Sequence, residues 1–333
     1  MGDWLCPLLA LVFAGLWLGT LLRQPRGEAG PARELPSASI ELEDALKAAY
    51  SLEEQAGPWD GEALAAAIGL AQASAGGVVQ ALADAGWARQ DAEGQWRLSD
   101  AGSQRARELV RAHRLWERYL VDREGAPLET AHAEAHVREH GTTSEELDKL
   151  DEGLGYPAWD PHGHAIPAPG CDVPALAAKP LSDESAVGRQ LRVVCLDDES
   201  APLLAQLVAM GVKPGADVAV IDREPDVLWL ELDDGRVRLA MPAAHHVHVV
   251  PKPALAVPLG ELPVGSRARV AEVRGGGKRQ RRMLDMGMVP GAEVAVVRRA
   301  SLGDPVEYRV KGTAVAMRRA DADSILVEEI AHG

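Results

Sequence analysis

The second half of this chain repeats itself. Met210, Gly211, Pro214, Gly215, Ala216, Val218, Ala219 and Val220 return in the same order as Met286, Gly287, Pro290, Gly291, Ala292, Val294, Ala295 and Val296, an offset of 76 positions from 210 to 286. Val187 and Gly188 likewise answer Val264 and Gly265. Each copy reads as a strand, a short helix, a glycine, a Pro-Gly turn and further strands. Proline then glycine at the two central positions suits a type II turn. A unit of about 75 residues with short strands suggests a small β-barrel. The expectation is two barrels, over residues 181–252 and 256–330, the first more divergent.

The middle of the chain carries metal-ligand chemistry. His113 and Glu117 stand four apart on one helical face, and His132, His136 and His140 continue at steps of four, with Glu139 three beyond His136. Imidazole nitrogen and carboxylate oxygen on a common face suit a divalent first-row metal. The plainer alternative is a solvated polar helix that happens to carry histidines. Leu109, Leu115, Trp116 and Leu120 offer apolar surface for helix packing or self-association. In the Pro/Gly/His stretch of residues 159–180, a linker by composition, His162 and His164 read as solvated loop residues. His245, His246 and His248 read as alternating across a strand, and so do not converge.

Charge and cysteine usage narrow the function. A formal charge of −15 argues against a protein that coats nucleic acid non-specifically. The three cysteines, Cys6, Cys171 and Cys195, lack C-x-x-C spacing, which fits a reducing compartment without a disulfide framework or zinc ribbon. No grouping of nucleophile, base and oxyanion donors appears, so the chain is not expected to be an enzyme.

Residues 4–22 are uncharged and span about 28 Å as a helix, near the hydrocarbon thickness of a bilayer. A cleaved signal peptide is the rival, but no Lys or Arg precedes the apolar run. Arg23, Arg26 and Arg33 follow it, giving an expected single-pass anchor in the inner (plasma) membrane, N-terminus outside, with residues 23–333 cytoplasmic. Residues 23–40 then form a flexible tether.

Residues 41–105 alternate in the manner of a winged helix-turn-helix: three helices, a hairpin around Asp91 to Gly94, then a helix capped by Ser99. The helix placed to read DNA offers only Gln72, Ser74 and Gln80, with Arg89, Arg97 and Arg105 at or beyond the wing. This module holds 11 acids against four bases. Its fold signal is good and its DNA-binding signal weak. In the second repeat copy, Gly275 to Gly277 precede Lys278, Arg279, Gln280, Arg281 and Arg282. That run matches no nucleotide loop and reads as a solvated basic loop or a docking patch for an acidic partner.

Asp44 six before Tyr50, the winged helix, the run from His113 to Glu117 and the series His132 to His140 resemble the iron- and manganese-dependent diphtheria-toxin-repressor (DtxR/MntR) regulators, over residues 41–160. Residues 256–330, with the glycine-basic loop, Leu284 to Gly287, Pro290-Gly291 and Leu302 to Pro305, look like a FeoA domain, an SH3-like barrel that accompanies ferrous iron transport or ends metalloregulators, and residues 181–252 look like a more divergent FeoA copy. The resemblance implies a regulatory metal site from Asp44, His136, Glu139 and His140 and an ancillary site from His113, Glu117 and His132. Asp and His make this a sulfur-free site suited to Mn²⁺ or Fe²⁺, with Zn²⁺ not excluded. Lys47 stands where the manganese branch has a further carboxylate.

The expected architecture is multidomain α+β: an N-terminal transmembrane helix, the winged helix-turn-helix, a helical metal-binding and dimerisation domain over residues 106–158, and two small SH3-like β-barrels. The expected function is a membrane-tethered, homodimeric, iron- or manganese-responsive regulator that binds operator DNA upstream of metal-transport genes. The alternative is a metal-sensing accessory of a ferrous iron transporter with little DNA affinity.

Overall fold

The computed structural model describes residues 37–70, 75–174, 176–184, 186–197, 200–233, 235–252 and 256–330. Helix α1 (Ser37–Ala56) buries Ala45, Leu46, Ala49 and Tyr50, the one-turn spacing of a core-facing stripe. Helix α2 (Gly61–Ala67) starts where the Asp60 carboxylate accepts from the Ala63 amide at 2.8 Å. Helix α3 (Ala75–Asp84) buries Ala75, Val79 and Leu82. Strands β1 (Ala88–Gln90) and β2 (Trp96–Leu98) form the wing, with Ala88 opposite Leu98. The Asp91 carboxylate accepts from the amides of Glu93 and Gln95 and shapes its tip. Gln72 and Ser74 lie outside the described residues.

Ser99 caps helix α4 (Asp100–Tyr119) by accepting from the Gly102 amide at 3.0 Å. A π-helical turn (Leu120–Glu124) and Gly125, at φ 71°, end it. Helices α5 (Leu128–Glu139) and α6 (Ser144–Gly153) follow, the latter opened by a reciprocal Thr143–Glu146 capping box. Leu109, Leu115, Trp116 and Leu120 are all buried within the chain itself.

The repeat is visible down to its irregularities. Two six-stranded antiparallel sheets share one strand order. The first runs β3 (Lys179–Pro180), β8 (Val247–Pro251), β4 (Gln190–Leu196), β5 (Asp217–Glu224), β6 (Val227–Leu232), β7 (Gly235–Ala240). The second runs β9 (Val257–Pro258), β14 (Ile325–Glu329), β10 (Arg267–Val273), β11 (Glu293–Arg299), β12 (Val306–Val310), β13 (Thr313–Met317). Register shifts at Val193/Cys195 and Val220/Asp222 recur at Val270/Glu272 and Val296/Arg298. Helix α7 (Ala201–Ala209) in the first copy corresponds to α9 (Gly277–Asp285) in the second; each precedes a turn in which Gly215 or Gly291 has φ near 87° or 86°. Positive φ at that position is what the expected type II turn requires.

Three expectations are corrected here. The basic run is neither a free loop nor solvated throughout: it is the start of α9, and Arg281 is buried. His246 and His248 do converge. The short helix α8 (Met241–His245) turns His246 back, and both rings bond Asp197, at 3.0 and 2.9 Å. The linker histidines are not solvated either: His162 is 0 % exposed and His164 half-buried. Trp159 and Ala165 form a bridge around them, and the Leu196 amide of β4 donates to the His162 carbonyl at 3.0 Å. Gly163 sits at φ 93°, and a Cβ there would stand 2.0 Å from the Val194 carbonyl oxygen.

The membrane localisation is also corrected. No helix among the described residues is long and apolar enough to cross a membrane. The longest, α1 and α4, have 20 residues each and carry charges along their length. Residues 4–22, on which that expectation fell, lie outside the described residues.

Candidate metal centre

Helix α5 lies against both α1 and α4, and its turn-by-turn spacing serves two neighbouring groups of ligands. Asp44, from α1, meets His136, Glu139 and His140, with one ligand atom of each within 4.8 Å of the others. Asp44 Oδ2 is 3.6 Å from His136 Nε2, and Asp44 Oδ1 is 3.2 Å from His140 Nε2. Glu139 Oε1 stands 3.3 Å from His140 Nε2 and 3.4 Å from His136 Nδ1. The second group is His113, Glu117 and His132, where Glu117 Oε1 faces His113 Nε2 at 3.0 Å and His132 Nδ1 at 3.3 Å.

Two of the imidazoles, His140 and His113, aim one nitrogen into a group and have the other held. His140 Nδ1 donates to Glu43 Oε2 at 2.8 Å, and Arg105 holds Glu43 in turn, Nη2 to Oε1 at 2.5 Å. His113 Nδ1 donates to Glu139 Oε2 at 2.5 Å. Such outer partners fix ring orientation and tautomer, as around metal-bound histidines. Glu139 therefore links the two groups, with Oε1 in one and Oε2 on the outer nitrogen of a member of the other.

The electrostatics are those of concentrated negative charge held by cations and protons. Burial works against a charge on His140, but hydrogen bonds to Asp44 and Glu43 and the field of Glu139 outweigh it and hold its pKa at about 9. Burial would raise Glu139, yet His113, His136 and the Lys47 ammonium hold it far below the usual carboxylate range. Lys47 Nζ stands 2.7 Å from Glu139 Oε1. Glu117 is buried too, and His113 and His132 keep it well below the ordinary value. Its Oε2 is buried and accepts no hydrogen bond. An oxygen-and-nitrogen donor set with an unfilled buried carboxylate oxygen fits a divalent transition metal.

Among the described residues, those considered for DNA contact are spent within the chain or exposed. Gln80 donates to Asp84 at 2.7 Å, Arg97 pairs with Asp91 and Glu53, and Arg105 is committed to Glu43 and Glu108. Arg89 is exposed on the wing. Sequence reasoning gave no role to Glu43, Asp160 or His162. Glu43 directly precedes Asp44, and a carboxylate beside a ligand was the one available signal.

A winged helix, a helical pair carrying two ligand groups and two repeated β domains define a metal-binding regulator architecture. The signature of the iron dependent repressor metal binding and dimerisation domain matches residues 99–168, and that of the FeoA domain matches residues 179–251 and 257–329. The chain is similar to the iron-dependent repressor IdeR of Mycobacterium leprae (strain TN), 35% identical over 136 residues, 37% of this chain and 58% of that protein. It is also similar to the Fe(2+) transport protein A/Fe(2+) transporter FeoB fusion protein of Porphyromonas gingivalis, 44% identical over 72 residues, 22% of this chain and 8% of that protein. The chain thus spans less than two thirds of either relative. Among solved structures, a manganese-dependent transcriptional repressor in complex with manganese is 29% identical with a TM-score of 0.57, covering 63% of this chain and 99% of that one. The chain thus carries the signature of an iron dependent repressor metal binding and dimerisation domain and two FeoA signatures, and it is similar in sequence and fold to metal-dependent repressors.

Proposed function

We propose that this chain is a divalent-metal-responsive transcriptional regulator, acting as a homodimer, in which metal fixes the winged helix against the dimerisation helices. One observation carries the reading: Asp44 comes from α1 of the winged-helix module, while His136, Glu139 and His140 come from α5 and its end. Mn²⁺ or Fe²⁺ shared between them would select one placement of the winged helix, because binding free energy becomes conformational free energy. The two winged helices of a dimer would then take the spacing an operator requires. The two FeoA domains, as SH3-like barrels, complete the chain.

A specific observation also favours the second reading, a metal-sensing accessory of ferrous iron transport. The winged-helix module is acidic in composition, and Arg97 and Arg105 are already paired. The Porphyromonas gingivalis relative joins a Fe(2+) transport protein A segment to a transporter. Fluorescence anisotropy on DNA from the protein's own upstream region, with Mn²⁺ and a salt series, separates the two. Metal-dependent binding is expected, weak enough to approach the non-specific range of about 10⁻⁶ M at physiological salt and lost in D44A. No metal-dependent binding at low salt would leave the accessory reading.

A further inference from the structure

The two copies of the β domain fold alike and differ in charge. Residues 179–251 hold seven Lys and Arg against 12 Asp and Glu, while residues 257–329 hold 13 against 10. A net of −5 in the first copy becomes +3 in the second, within a chain of formal charge −15. Both sequences make the same sheet order, so the fold itself does not demand the added cations. Where the first copy has the largely apolar helix α7, the second has α9, with Lys278, Arg279, Arg281 and Arg282. Asp197, after β4, is answered by Arg274, after β10: the Asp197 amide donates to the His246 carbonyl as the Arg274 amide donates to the Ser324 carbonyl.

Of the cations on α9, Arg281 alone turns inward. Lys278 and Arg282 stand one turn apart on the outer face with Arg279, and all three are exposed. Arg279 bonds Asp321 and the Ala320 carbonyl, which brings helix α10 (Arg319–Ala322), with the exposed Arg318 at its start, beside them. Asp321 and Glu272 offset two of these charges, at 2.8 Å from Arg279 and 3.7 Å from Arg274. Lys278 rests 4.0 Å from the centre of the Tyr156 ring. Among the described residues, the Arg282 and Arg318 side chains have no ion pair or hydrogen bond. No large apolar side chain is exposed within residues 274–282 or 318–324. Protein interfaces are built around buried apolar and aromatic anchors, whereas phosphate contact needs only cations, which the planar guanidinium fork serves best.

We propose that this face of the second FeoA domain, formed by Arg274, Lys278, Arg279, Arg282 and Arg318, grips the phosphate backbone of the DNA that the winged helix binds. The proposal rests on the reading of the chain as a DNA-binding regulator. It supplies what the winged-helix module lacks, since that module holds 11 acids against four bases and its Arg97 and Arg105 are already paired. Phosphate contacts set affinity and base contacts set sequence choice, so the two tasks can fall to different domains of one chain. Arg281, bound to Asp151, holds the face in a fixed place on the helical domain.

The test uses the full chain with Mn²⁺ on DNA from its own upstream region, read by fluorescence anisotropy across a salt series. K278Q/R282Q/R318Q leaves Arg281 on Asp151 and removes three exposed charges. Across a dimer, six lost phosphate contacts should flatten the slope of log affinity against log salt by about five, with Mn²⁺ stoichiometry unchanged. K213Q/R236Q/R238Q removes the same charge from the first FeoA domain and should keep the wild-type slope. A wild-type slope in K278Q/R282Q/R318Q would overturn this proposal alone and leave the face to an acidic protein partner. Equal flattening in both variants would overturn it in favour of net charge. If K278Q/R282Q/R318Q does not fold, R282Q/R318Q, which keeps Lys278 on Tyr156, decides on the same terms. No metal-dependent binding by the wild type at low salt would overturn the proposal together with the reading beneath it.

Discussion

Arg281 of α9 grips both carboxylate oxygens of Asp151 on α6, Nη1 to Oδ2 at 2.5 Å and Nη2 to Oδ1 at 2.8 Å. Arg111 of α4 shares the same carboxylate, Nη2 to Oδ2 at 2.7 Å. All three side chains are buried. The second FeoA domain is thereby bound to α6 and, through the shared carboxylate, to α4, which carries the candidate ligands His113 and Glu117.

Removing one partner of a buried ion pair costs about 3–5 kcal/mol, because the charge left behind is uncompensated. Asp151→Ala leaves the buried Arg281 with only the Pro157 carbonyl and Arg111 with only the more exposed Asp148, whereas Arg281→Ala leaves Asp151 still paired with Arg111. Thermal and urea melts of metal-free protein should therefore place Asp151→Ala well below Arg281→Ala. Equal losses would show that Arg111 does not share the load.

Glu139 touches both ligand groups, so damage to one should be felt in the other. His113→Ala removes the hydrogen bond to Glu139 Oε2 and frees that carboxylate to turn. Loss of an outer partner of a metal ligand typically costs 10–100-fold in affinity. Calorimetric Mn²⁺ titration should show the regulatory site of His113→Ala weakened by about tenfold or more. Unchanged affinity there would make the two groups independent.

Lys47 places an ammonium on Glu139 Oε1, on the side where the ligands converge. A divalent ion must displace it or share that oxygen against its repulsion. Lys47→Met keeps most of the apolar stem and should tighten Mn²⁺ binding by about tenfold, roughly 1.4 kcal/mol. Weaker binding in Lys47→Met would mean the ammonium orders the site instead of competing for it.

Asp197 gives a pH dependence with a definite sign. Burial pushes its carboxyl up, but hydrogen bonds from His248 and His246 outweigh this and hold it below 3.8. A depressed folded value contributes stability above the unfolded value, about 3.9, which is lost as pH falls through the folded value. Asp197→Asn should lower the melting temperature at pH 7, with the gap to wild type closing as pH falls below about 4. A gap constant with pH would contradict the assignment.

What could be read in the sequence followed from regular spacing. His113/Glu117 and His132/His136/His140 stand a helical turn apart, and the repeat gave both sheets, so these needed no three-dimensional knowledge. Asp44 came only through resemblance, since no local pattern joins α1 to a helix about 90 residues on. His162 was misjudged because a Pro- and Gly-rich composition says loop, and this loop is buried as the wedge between two domains. Arg281 was misjudged because a run of like charges hides its one inward member. Its helical position beside Met283 and Leu284, both buried, was the available clue.

The contact at Gly163 bears on how this molecule can be divided. With no room for even a methyl group between loop and strand, the segment that resembles a linker acts as a key seated in β4. A fragment cut shortly after Ile166 would keep every ligand named above yet lose the strand against which His162 is braced. Such a fragment would be expected to hold metal at Asp44 and His140 while losing the conformation of the loop. The seam written in the sequence is therefore not the place where the protein comes apart.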